Sequence, residues 1–82
     1  MNDNYAAREH LETANCHVAQ AEERIAQLRR RVEDMRVSGI PTERAEALLA
    51  LMLDSLDNMK RHRRLILREI SEFRQARRSR SR

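Results

Sequence analysis

The sequence predicts an all-α fold: an antiparallel two-helix hairpin, coiled-coil-like in its packing, that dimerises into a four-helix bundle. Three observations predict it. The 82 residues are 37% charged and rich in Ala, Leu, Glu and Arg, with one Gly, one Pro and no Trp, a composition that suits long helices better than strands. The single Gly and single Pro fall together near the middle, at Gly39 and Pro41. On both sides of that break, apolar residues recur in alternating steps of four and three.

The first helix is expected over about 3–37. Its stripe is Ala7, Leu11, Ala14, Val18, Ala21, Ile25, Leu28, Val32 and Met35. A repeat of 3.5 residues held over several heptads keeps one seam facing a partner helix. The turn is expected over 38–42. Gly39 can take the left-handed conformation that ends a helix, and Ile40 behind it can pack back on Met35 as in a Schellman stop. Pro41 cannot continue that helix, and the Thr42 hydroxyl can cap the next. The second helix is expected over about 43–76, with the stripe Ala45, Leu49, Met52, Leu56, Met59, Arg63, Ile66, Ile70 and Phe73. Each helix is about 50 Å long at 1.5 Å per residue. The connection is too short for a parallel pair, so the chain must fold back on itself.

Folding back at Gly39 makes the register a packing test. Ala21 meets Met59, Ala14 meets Ile66 and Ala7 meets Phe73, so small residues face large ones in three layers. Leu28 faces Met52, and Ile25 faces Leu56. At the edges Glu22 lies opposite Lys60 and His10 opposite Glu69.

The second helix carries more apolar surface than one seam can hide. Residues 47–53, Ala-Leu-Leu-Ala-Leu-Met-Leu, are apolar right round the helix, and Leu65 and Leu67 widen the stripe further along. The first helix offers a single stripe there, flanked by Arg29, Arg30 and Arg31. An uncovered apolar face of this kind calls for a partner. The expected oligomer interface comprises Leu48, Leu49, Leu51, Met52, Leu53 and Leu56, and the simplest assembly is a two-fold homodimer.

The phrases from His10 to Ile70 resemble short bacterial helical-hairpin proteins. The shared pattern is an HL..A..HVA..E..I..L...V opening, a central Gly, a Thr-led second helix with A..LL, and an HR..L..E close. Pro41 before Thr42 departs from the polar residue usual there and affects only the turn. The resemblance implies a helical hairpin and no particular activity.

Charge separates body from tail. The net charge is +4, but Arg74 to Arg82 hold five Arg and no acid, which leaves 12 basic against 13 acidic side chains, or −1, in residues 1–73. Residues 77–82 read as a basic, unstructured tail. Together with Lys60-Arg61-His62-Arg63-Arg64 they are the only features that point to a phosphate partner. The candidate phosphate contacts are Lys60, Arg61, Arg64, Arg77, Arg78, Arg80 and Arg82. Against nucleic acid stand an aromatic content of 2%, which gives bases no stacking platform, and the absence of a groove-reading motif. A solvated helix end, where cations favour the helix dipole, explains the same residues without a partner.

Other candidates read as structural. His10 and His17 are about 10 Å apart along one helix and cannot share an ion. His17 comes near His62 across the edge, beside Cys16, but no i, i+3 or i+4 ligand pair accompanies them, so a packed edge pair is expected rather than a metal site. Arg63 interrupts the seam. It is expected to lay its stem over Val18 and reach Glu22 or solvent, fixing register or assembly. Glu22, Glu23, Asp54 and Asp57 fall on solvated faces. No nucleophile–base arrangement or phosphate loop is present, and no enzymatic function or cofactor is predicted. The lone Cys16 fits a reducing compartment. The polar N-terminal residues do not read as a signal peptide, and the longest apolar run is far short of the ~20 residues that span a bilayer. A cytoplasmic structural or protein-interaction module is the function expected, with non-specific nucleic-acid association through the Arg clusters as the alternative.

Overall fold

The computed structural model of the chain describes residues 4–80, with two α-helices, α1 (Asn4–Val37) and α2 (Glu43–Arg80), packed along their length. The molecule is a rod of 68 × 16 × 13 Å. Residues 1–3 and 81–82, Arg82 included, lie outside the described residues. No described helix is long and apolar enough to cross a membrane.

Helix α1 ends as its sequence dictates. The Ile40 amide donates to the Met35 carbonyl at 2.8 Å and the Gly39 amide to the Arg36 carbonyl at 3.1 Å. These are the 6→1 and 5→2 bonds of a Schellman stop. Gly39 has φ +72°, and a Cβ built there would meet nothing within 4 Å. The glycine is therefore required by backbone conformation alone and not by crowding.

Helix α2 starts directly after Thr42, whose carbonyl accepts the Glu46 amide at 2.8 Å. The Thr42 hydroxyl does not accept a backbone amide as expected. It donates to Glu46 Oε2 at 2.8 Å, and the other oxygen of that carboxylate takes Arg36 Nη2 at 3.3 Å. Arg36 also reaches Glu33 at 2.9 Å. Glu46 thus ties the last turn of α1 to the first turn of α2 through groups that are all solvated, where each tie is worth at most about 1 kcal/mol.

Every position of both sequence stripes is buried or partly buried. The most enclosed are Val18, Ile25 and Val32 on α1 and Ile66 and Ile70 on α2, yet among the described residues no side chain is fully buried. At the open end Ala7 and Ala14 cluster with Ile66 and Ile70, and Leu11 packs against them. Small residues on α1 thus let the larger ones of α2 approach.

The far end of α2 corrects the expected boundary. Arg77, Arg78 and Arg80 form its last turn rather than an unstructured tail beginning at residue 77. No breaker follows Phe73, Arg is a good helix former, and cations in a last turn oppose the negative end of the dipole.

Candidate functional site

The leucines and the methionine expected at an oligomer interface divide into two sets. Leu49, Met52 and Leu56 are partly buried in the seam against α1. Leu48, Leu51 and Leu53 remain exposed, at 49%, 67% and 37%. Their positions on the helix separate them further. Three- and four-residue steps from Leu48 give Leu51, Ser55, Asn58, His62 and Leu65, so these six share one flank of α2. All six are exposed, Leu65 at 59%. Leu53 and Leu67 lie on the other side of the seam.

Beside Leu48 an open groove runs between the helices, lined by Arg24, Gln27, Leu28, Arg31, Leu48 and Met52. Apart from Leu28, helix α1 lines this groove with polar and cationic side chains and leaves the leucine flank about half or more exposed. The chain exposes 6901 Å², against about 5,100 Å² for a compact monomer of its mass, as its elongated shape of 68 × 16 × 13 Å requires.

The cationic residues concentrate on the second half of α2. Residues 60–80 hold nine basic and two acidic side chains. Lys60 Nζ pairs with Glu22 at 3.5 Å across the hairpin, as the register predicts, and Arg61 pairs with Asp57 at 3.0 Å along α2. Arg61, Arg64 and Arg68 line one shallow groove with Leu65. Arg68 was not among the expected phosphate-binding residues, although its spacing from Arg61 and Arg64 places it on the same outward face. Arg77, Arg78 and Arg80 continue the charge to the helix end.

Arg63 sits partly buried in the seam. Its Nη1 donates to Asn15 Oδ1 at 3.4 Å and not to Glu22, whose carboxylate is taken by Lys60. His10 and Glu69, expected opposite each other, are both exposed and no ion pair joins them. His17 and His62 are both exposed, and no hydrogen bond joins them. Cys16 is exposed and free, with Gln20 Nε2 donating to its sulfur at 3.7 Å. Among the described residues no group of three or more His, Cys, Asp and Glu could hold a metal ion. No protein family, curated protein or solved structure matches the chain.

Proposed function

We propose that this chain is a non-enzymatic structural or protein-interaction module that self-associates through α2, two hairpins making a four-helix bundle. The observation that carries this reading is the flank of α2 on which Leu48, Leu51 and Leu65 remain about half or more exposed. Burying what remains exposed of these three side chains contributes about 3–5 kcal/mol per protomer, at ~1.5–3 kcal/mol for a whole leucine. That is a large addition for a domain this small, whose own core gives only about 3–5 kcal/mol. A reducing, cytoplasmic setting suits the free thiol of Cys16. Sedimentation equilibrium at micromolar concentration tests the reading. Twice the chain mass is expected, and a stable helical monomer would refute it.

One observation favours a second reading, contact with nucleic-acid phosphates: Arg61, Arg64 and Arg68 share a groove on the half of α2 that holds nine cations against two acids. Such binding is sequence-blind and weakens steeply with salt. A labelled random duplex titrated at low and moderate salt separates the two readings. Binding that vanishes in the Arg61→Gln/Arg64→Gln/Arg68→Gln variant supports the second, and no shift even at low salt dismisses it.

A further inference from the structure

The flank left uncovered on α2 reads almost the same in both directions. From one end it runs Leu48, Leu51, Ser55, Asn58, His62, Leu65, all exposed. We propose that its partner is a second copy of α2 lying antiparallel across it, with the two-fold axis between Ser55 and Asn58. This rests on the self-association reading above and specifies its geometry.

Two-fold antiparallel packing pairs Leu48 with Leu65 of the second copy at both ends of the contact. Leu51 meets His62, whose ring is flat and largely apolar, and Ser55 meets Asn58, which can exchange hydrogen bonds at the centre. Hydrophobic ends and a polar middle make this pairing self-complementary, as an isologous interface requires, and charge selects it over the parallel alternative.

Charge agrees with the same register. Asp54 and Arg61 lie on the rim of the flank, both exposed, and the antiparallel pairing brings Asp54 of each copy to Arg61 of the other. Arg61 already bonds Asp57 at 3.0 Å, an exposed pair of little worth, so its guanidinium can bridge or switch at small cost. The long-range field is more decisive. Residues 60–80 hold nine basic and two acidic side chains. A parallel pairing would set two such segments side by side within a Debye length of ~8–10 Å. The antiparallel pairing sends them to opposite ends.

The test combines two sets of variants, each followed by sedimentation equilibrium with helicity checked by circular dichroism. Leu48→Glu and Leu65→Glu should give helical monomers, whereas Leu53→Glu and Leu67→Glu, on the other side of the seam, should leave the dimer intact. Asp54→Arg and Arg61→Asp should each weaken self-association by about tenfold, and the double variant should recover most of it, as reciprocal charge pairs do. A wild-type monomer would overturn both this geometry and the self-association reading. A wild-type dimer that survives Leu48→Glu and Leu65→Glu, or that is broken by Leu53→Glu, would overturn this geometry alone. So would a dimer whose double charge reversal recovers nothing. The charge variants sit at solvated positions, so they report on the interface even if a leucine variant fails to fold.

Discussion

Replacing Arg63 by Leu should stabilise the hairpin, and the structure sets the size of the effect. Arg63 occupies a seam position between Met59 and Ile66, partly buried, with its guanidinium donating to Asn15 Oδ1 at 3.4 Å. That distance is beyond the usual range for an N–H···O bond and the pair is solvated, so its loss costs about 0.5 kcal/mol or less. Asn15 is exposed and can turn its amide to water, so no buried polar group is orphaned. A leucine that buries about half of its surface returns about 1–1.5 kcal/mol. Part of that gain is already supplied by the arginine stem lying along the seam. The net gain is therefore about 0.5–1 kcal/mol, or a rise of about 2–8 °C in Tm for a domain of this size. Urea unfolding followed by far-UV circular dichroism measures it, at matched protein concentration because association shifts the midpoint. A variant destabilised by more than about 1 kcal/mol would show that Arg63 holds the helices in register and that its bond to Asn15 has been undervalued. Unchanged stability with an altered mass by sedimentation would place its role in assembly.

Three further outcomes follow from the same geometry. Gly39→Ala should lose about 1 kcal/mol, since the left-handed φ of +72° opposes a Cβ by about 1–2 kcal/mol while the stiffer unfolded chain returns part of it; Gly39→Asn should lose less, and equal losses in thermal melts would contradict a purely conformational cause. Ala14→Leu should destabilise by about 1–3 kcal/mol because Ala14 is buried beside Ile66 and Ile70 and added volume must push the helices apart; an unchanged urea midpoint would mean the seam is loose there. Glu46→Gln breaks the tie between Arg36 and Thr42 but should cost less than about 1 kcal/mol, since all three groups are solvated; a loss above about 2 kcal/mol in the same assay would show that the turn depends on it.

The seam was legible in the sequence because period and breakers are properties of the backbone. A 3.5-residue repeat leaves one face to bury, and one Gly and one Pro leave one place to turn, so all eighteen stripe positions are at least partly buried. What the sequence left open was the choice among partners of similar reach. Lys60 and Arg63 both lie near Glu22, and the lysine takes it, leaving Arg63 to Asn15. Thr42 could cap a backbone amide or serve Glu46, and the nearby Arg36 draws that carboxylate into place. Differences of a few tenths of a kcal/mol between solvated groups decide such cases. The end of α2 was hidden for a different reason: a run of arginines resembles a disordered tail in composition, but nothing in it prevents a helix that is already nucleated from continuing.

That continuation changes the meaning of the basic excess. Carried on a helix to Arg80, it sets its charges at helical spacing along the second half of α2. In an antiparallel α2 pair the leucine flank ends at Leu65, so residues beyond it project past the interface at both ends of the dimer. Self-association through the leucines and phosphate binding through Arg68 and the last-turn arginines would then occupy different surfaces. Of the groove-lining cations only Arg61 belongs to both. An Arg61→Gln dimer that keeps its mass should bind a duplex more weakly, because each copy neutralises one phosphate fewer. Its salt slope should be shallower by about one for each phosphate no longer neutralised. A slope that collapses altogether would mean the two surfaces are one.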